Sequence, residues 1–409
     1  MRTQCCIAGG GPAGMMLGIL LARMGVDAVV LEKHADFLRD FRGDTVHPST
    51  LEVMHELGLL DEFLERPHDE VSRVAVQVGA ETVPIADLSH LPTRCRFIAL
   101  MPQWDFLDFL ADQGRRYPTF RLLMRAEVDG LIVEGGQVAG LRARTPDGPL
   151  EIRAGLVVGA DGRHSAVRGL AGLPVRDLGA PMDVFWMRLS RRSGDPNAVL
   201  GRVEAGRILV MLDRGDYWQC AFVIPKGAAE KIRRRGLPAF REELARLVPV
   251  LRDRVGELRD WDDIKLLTVV VDRLRRWYRP GLLCLGDAAH AMSPIGGVGI
   301  NLAVQDAVAA ANILGPHLLR GDLATVHLRR LQRQREWPTR ATQRMQLVLQ
   351  NRVIRPVLGA TGPLRLPWAL RLLQRIPRLR RIPARLLGLG VRPEHVRTPD
   401  AFAQAGGGA

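Results

Sequence analysis

Nowhere does the 409-residue sequence hold a run of about 18 apolar residues free of charge, so no obvious membrane-spanning helix is expected. A secretory layout is missing too, because the first residues read directly as a strand and a glycine turn. Cytoplasmic residence is the resulting expectation. The five cysteines (Cys5, Cys6, Cys95, Cys220 and Cys284) show no metal-ligand spacing and read as small buried hydrophobes of a reducing compartment. Acidic residues are almost absent from Gln346 to Pro399, where eleven arginines face the single Glu394. That stretch carries most of the formal charge of +14. Its arginines alternate with Leu, Ile, Pro and Trp368, and no nucleic-acid-binding motif accompanies them. Such a pattern suits helices that cap the protein itself or touch an anionic membrane surface. No nucleic-acid partner, metal site or internal repeat is expected.

What is present points to a nucleotide. Thr3 to Ala8 has the length of a buried parallel strand, Pro12 to Met24 is helical in character, and Ala28 to Leu31 is a second β-branched run. Between strand and helix stands Gly9-x-Gly11-x-x-Gly14, with Pro12 and Ala13 completing the turn. In such a unit the first glycine permits a tight bend and the second lets backbone N–H groups reach a diphosphate. The third lets helix and strand pack closely. Glu32, followed by Lys33, closes the second strand about 20 residues on, where a carboxylate can meet a ribose hydroxyl. Almost three hundred residues later a buried run ends on Gly286-Asp287 and opens into Pro294-Ile-Gly296-Gly297-Val298-Gly299-Ile300-Asn301. A second nucleotide-contacting segment so far along implies a long cofactor, FAD.

Leu156 to Gly159 delivers another acid and glycine, Asp161-Gly162, from the end of a buried strand. With these three segments in this order, the chain resembles the single-component class A flavoprotein monooxygenases typified by p-hydroxybenzoate hydroxylase, over roughly residues 1 to 345. The resemblance implies that Asp287 binds the ribityl or diphosphate part of FAD and that Asp161-Gly162 lies close to both FAD and NAD(P)H. Gly296, Gly297 and Gly299 let the isoalloxazine edge approach the backbone. The helix beginning near Val298 points its positive end at the ring. Asn301 orders that turn or contacts the ring. The resemblance further places Arg42 beside the diphosphate and flavin, Gln103 at a cofactor-binding helix start, and Val128 against adenine. Arg42, His47, Pro294 and Gly297 are the candidate catalytic positions, and His290 is a second histidine near the flavin.

The expected architecture is α/β: a Rossmann-like FAD-binding domain of residues 1–70, 99–175 and 265–345, with an inserted, mostly antiparallel β-sheet substrate domain of 71–98 and 176–264. A basic helical region and tail, 346–409, follows. Segments such as Val184–Leu189 and Tyr217–Val223 alternate, as half-buried strands do, and Trp186, Arg188, Met211, Tyr217 and Trp218 are the candidate substrate-facing residues. The activity implied is hydroxylation or epoxidation of a hydrophobic aromatic or polycyclic molecule with NAD(P)H and O2, through a flavin C4a-hydroperoxide. No second Gly-x-Gly-x-x-Gly marks a separate nicotinamide domain, and the resemblance implies that NAD(P)H binds transiently in a groove. Two other readings are an FAD-dependent reductase of an isoprenoid or lipid double bond and a membrane-surface flavin-binding protein without monooxygenase activity. A halogenase is disfavoured by the lack of a Trp-x-Trp-x-Ile-Pro segment. The assembly expected is a monomer or homodimer.

Overall fold

The computed structural model describes residues 1–38, 45–195, 201–364 and 366–403. The strand Arg2–Ala8 lies at the centre of the first sheet, parallel to Gly148–Gly159 on one side and Ala28–Glu32 on the other. Phe120–Met124 extends the parallel set beyond Ala28–Glu32, and Leu282–Cys284 extends it beyond Gly148–Gly159. Gly148–Gly159 also starts earlier than its apolar end, because its polar first half pairs antiparallel with Gln137–Thr145. Strands buried on both faces read as continuous apolar runs, which is why Cys5 to Ala8 and Ala28 to Leu31 are wholly buried. The helices Pro12–Arg23 and Gly299–Arg320 pack on one another and on this sheet. By length and composition the segment Ile295–Arg320 could cross a bilayer, yet 78% of its apolar window is buried inside the protein. All five cysteines are buried and unbridged.

The second sheet runs Lys265–Leu267, Met182–Ser190, Tyr217–Pro225, Arg207–Asp213, Arg202–Glu204, Arg73–Val78, Glu81–Asp87. All its pairings are antiparallel except Arg202–Glu204 with Arg73–Val78. One face is closed by the helix Leu237–Leu247, where Phe185, Phe222, Phe240 and Trp261 meet with ring centroids 5.4–6.1 Å apart. The opposite face looks towards Ile295 and the last turns of a long helix.

The helices Pro48–Glu56 and Leu60–Leu64 are separate, because Gly58 takes a left-handed φ of 72° that turns the chain between them. The expected boundary at 346 falls inside a continuous helical rod: Thr325–Leu349 passes into a π-helical turn, Gln350–Ile354, and then into Arg355–Gly359. Pro356 explains the widened turn, since its ring clashes with the carbonyl of residue 352 in regular α geometry.

Candidate active site

In the parallel sheet, Ala8 is level with both Leu31 and Gly159, and Gly159 is level with Cys284. The carboxyl ends of four adjacent strands therefore carry Glu32, the Gly9–Gly14 turn, Asp161-Gly162 and Gly286-Asp287 side by side. Segments spread over almost three hundred residues become one edge, the place where open parallel sheets bind ligands.

The glycines have different local reasons. Gly9 has φ 108°, and a Cβ there would lie 2.4 Å from the Ala160 carbonyl oxygen. At Gly14 a Cβ would lie 2.0 Å from the Gly9 carbonyl oxygen, so only hydrogen fits between helix and turn. Among the described residues nothing lies within 4 Å of a Cβ built at Gly11, at the start of the helix Pro12–Arg23, and no side chain caps that terminus. Its exposed N–H groups and dipole favour an anion. Glu32 is 9% exposed and braces the turn, accepting hydrogen bonds from Gly10 N–H at 3.1 Å and His34 N–H at 3.0 Å. Lys33 is exposed beside it, while Gln103 (the first residue of the helix Gln103–Arg115) and Val128 are half-buried. Arg42 lies outside the described residues.

Asp161 accepts a hydrogen bond from Val167 N–H at 3.1 Å through Oδ2, and its Oδ1 is buried without a donor among the described residues. Arg163 reaches Asp287 at 3.6 Å, linking the two acid-bearing strand ends. These features fit FAD: two acids at the strand ends, an open glycine, and a buried acceptor atom that a polyol hydroxyl could satisfy.

Pro294 starts a 3-10 turn in which Gly296 and Gly297 have φ 78° and 63°. The helix Gly299–Arg320 follows, again with no side-chain cap. Thr45 donates to the Gly297 carbonyl at 3.0 Å. Asn301 orders the turn: its Oδ1 accepts from His47 N–H at 3.0 Å and Thr50 Oγ1 at 2.7 Å, and its Nδ2 reaches the Gly297 carbonyl at 3.4 Å. His47 is tied to this turn through its backbone N–H on Asn301. It is fully buried, its Nδ1 is 2.7 Å from the Leu387 carbonyl, and burial pushes its pKa down to about 4. It is neutral at physiological pH.

His290 is buried as well. Its Nε2 lies 2.6 Å from Asp306 Oδ2, which also accepts from Gly286 N–H at 3.2 Å. Arg335 donates to the other Asp306 oxygen at 2.9 Å and reaches Glu394 at 3.4 Å. Burial alone would raise the Asp306 carboxyl, but His290 and Arg335 outweigh it and hold its pKa below the usual range. The chain Glu394–Arg335–Asp306 thus braces the Gly286-Asp287 turn from behind.

A row of glutamines on the long helical rod, which sequence reading missed, grips the segment leading to Pro294. Gln343 Nε2 donates to the carbonyls of Asp272 (2.7 Å) and Ala291 (3.1 Å). Gln346 accepts from Ser293 N–H at 3.2 Å and donates to the Ser293 and Ile295 carbonyls, each at 3.0 Å. Gln350 Nε2 donates to Ser293 Oγ at 2.7 Å. The spacing of these glutamines, three or four residues apart, was the available signal.

Strand alternation sorts the candidate substrate residues. Val184, Trp186, Ala221 and Val223 lie on the face that meets Ile295, and Leu347, Ile354 and Val357 of the rod pack on the same apolar cluster, where Trp186, Ile295 and the rod residues are half-buried. Arg188 stacks over the Tyr217 ring at 5.0 Å. Met211 and Trp218 are corrected: both point to the other face, packed with Phe185 and Phe222 in the helix-covered core. Trp218 there donates to Asp195 at 3.0 Å, and Asp195 pairs with buried Arg254.

Comparison with known proteins agrees with this geometry. A family model described as FAD binding domain matches residues 2–343. The sequence is 33% identical over 387 residues to 6-methylpretetramide 4-monooxygenase of Streptomyces rimosus, covering 94% of this chain and 92% of that protein. It is 29% identical over 322 residues to the 12-dehydrotetracycline 5-monooxygenase/anhydrotetracycline 6-monooxygenase of the same species, which is longer: the chain spans 61% of it. The fold superposes on OxyS anhydrotetracycline hydroxylase from Streptomyces rimosus with a TM-score of 0.75 at 24% identity, covering 96% of this chain and 77% of that one.

Proposed function

The chain belongs to the FAD binding domain family and is an FAD-dependent monooxygenase of the class A flavoprotein type; from that premise we propose that it hydroxylates a polycyclic aromatic substrate of the tetracycline kind, using NAD(P)H and O2. The observation that carries this reading is the row of Glu32, the glycine turn, Asp161 and Asp287 along one strand edge, with the Pro294–Ile300 turn nearby and the apolar face of the second sheet meeting Ile295.

FAD, when bound, supplies the oxidation–reduction chemistry by taking reducing equivalents from NAD(P)H and passing on one atom of O2. The remaining tasks fall to the chain. Gly11, Pro12, Ala13 and the uncapped helix start would hold the diphosphate, and Glu32 with Lys33 the adenosine ribose. Val128 would lie against adenine, and Arg42 and Gln103 would flank the cofactor. Asp161, Gly162 and Asp287 would accept hydrogen bonds from the ribityl hydroxyls. Backbone groups from Gly296 to Ile300 would meet the polar edge of the ring, where the positive end of the helix Gly299–Arg320 favours negative charge. The apolar wall of Val184, Trp186 and Val223 would hold the aromatic rings and keep water from the reacting carbon. Neither His47 nor His290 moves a proton in this reading.

The test is steady-state turnover of the purified flavoprotein with 6-methylpretetramide and anhydrotetracycline, following NADPH and NADH loss and product mass. Substrate-stimulated oxidation that yields a product with one added oxygen is expected. Oxidation that yields only hydrogen peroxide with every substrate contradicts it.

Peripheral contact with an anionic bilayer belongs to the same reading. The helix Trp368–Arg375 turns Trp368 and Leu372 outward at 78% and 39% exposure, Ile376 just after it is 43% exposed, and exposed Arg371 and Arg375 stand beside them. An outward apolar row flanked by arginines suits a headgroup interface. Flotation with phosphatidylglycerol vesicles is expected for the intact protein and not for W368A/L372A/I376A. Equal flotation of both contradicts the contact.

A further inference from the structure

A small cavity lies between the early turns of the helices Pro48–Glu56 and Gly299–Arg320, the long rod and the C-terminal segment, with Ser49, Asn301, Gln305, Thr342 and Leu387 among its walls. It offers ≈ 20 Å³ to the centre of a water-sized sphere. One water needs about 10–15 Å³ on that measure, so the cavity has room for a single small molecule and none for an aromatic ring. Gln305 stands one helical turn after Asn301, and Ser49 immediately precedes Thr50, one of the two groups that hold Asn301 Oδ1. The cavity therefore lies next to the bracket that orders the Gly297 turn.

Gln305 is 4% exposed, and its Nε2 is buried with no hydrogen-bond partner among the described residues. The orientation of this amide is fixed from the backbone: its Oε1 accepts from the Glu394 N–H, and a flipped amide would set two donors against each other. The unmatched atom is therefore a donor, and it needs an acceptor. Ser49, 5% exposed, lines the same cavity, and its hydroxyl forms no hydrogen bond among the described residues. Thr342 Oγ1 donates to the Pro338 carbonyl at 2.9 Å, which leaves its lone pairs able to accept. Polar groups from three helices thus border a space of one water's size, and a buried water typically makes about three hydrogen bonds.

We propose that the cavity binds one ordered water molecule, which accepts from Gln305 Nε2 and joins it to the Ser49 and Thr342 hydroxyls. The bridge pins the helix Pro48–Glu56 to the helix Gly299–Arg320 one turn from Asn301, and so steadies the Gly297 turn against the flavin edge. Ser49 and Gln305 are positioning residues: they touch neither flavin nor substrate and act through Asn301 and its turn. The inference rests on the placement of the flavin edge at this turn and is independent of the substrate.

The test is a crystal structure of the intact FAD-loaded protein, a second one after xenon pressurisation, and FAD binding by wild type, Ser49→Ala and Ser49→Thr. One water within about 2.7–3.2 Å of Gln305 Nε2 and of Ser49 Oγ is expected, with no xenon in its place, because xenon enters dry apolar cavities. Ser49→Ala deletes one partner of the water and is expected to raise the Kd of FAD about three- to tenfold. Ser49→Thr keeps the hydroxyl and should bind FAD as the wild type does. No density in the cavity, or xenon in it, overturns the water site, and this arm needs no variant to fold. Unchanged FAD affinity in Ser49→Ala, or an equal loss in Ser49→Ala and Ser49→Thr, overturns the link to the flavin turn. A flavin ring lying away from the Gly297 turn in the crystal overturns the placement of the flavin itself, which is a separate failure.

Discussion

Asp306 holds three partners at once from a fully buried position, and that makes it the most sensitive single residue behind the flavin site. Asp306→Asn leaves Arg335 and His290 facing a neutral amide. Breaking a buried charge pair in this way costs about 3–5 kcal/mol, and it also frees the Gly286 N–H. The expected outcome is a lower denaturation midpoint and weaker FAD retention, both readable on the purified protein; unchanged values for both contradict the bracing role. His47 gives a pH signature. Its native pKa of about 4 lies below the ordinary value of ~6.5, so between the two the unfolded chain binds a proton that the native chain does not. Its contribution is intact above about pH 6.5 and falls as pH drops towards 4, by about 3 kcal/mol in all. Denaturation midpoints measured from pH 7 to pH 4 should fall less steeply for His47→Gln than for the wild type. At this scale the sequence marked Gly9, Gly14, Asp161 and Asp287 because their spacing is a property of the backbone. It left Asp306, Arg335 and Glu394 unmarked because their meeting depends on how distant helices pack.

The strands of the second sheet show what alternation can and cannot say. A period of two assigns Trp186 and Met187 to opposite faces, but it is silent on which face a helix covers. Both faces here carry large apolar residues, one against Phe240 and one against Ile295 and the rod, so alternation alone does not separate Trp186 from Trp218. The difference is measurable. Trp218→Ala should cost about 3–5 kcal/mol of stability with little change in KM once folded protein is counted. Trp186→Ala should raise KM on the order of tenfold while FAD content stays the same. The opposite pattern contradicts the assignment of faces. At the first turn the constraint is steric: a Gly14→Ala methyl would overlap the Gly9 carbonyl, and the variant should emerge without flavin.

For the molecule as a whole, the arginine-rich end belongs to the fold and is not an appendage. Composition displayed its charge and hid its packing, because helices interrupted by proline carry little periodic signal. In the structure Leu387 offers its carbonyl to His47, Glu394 closes the pair with Arg335, and the Thr398 carbonyl and Asp400 engage Arg23. Cutting the chain after Gly390 should therefore lower the denaturation midpoint further than Glu394→Gln, which should cost about 1–3 kcal/mol. The larger claim is that this fold carries one oxygen atom from O2 to a polycyclic ring. Its most direct measurement is a turnover with 18O-labelled O2, NADPH and 6-methylpretetramide, with the product analysed by mass spectrometry. One labelled oxygen in the product is predicted, with none formed when O2 is withheld. Product made anaerobically, or bearing oxygen drawn from water, contradicts the account.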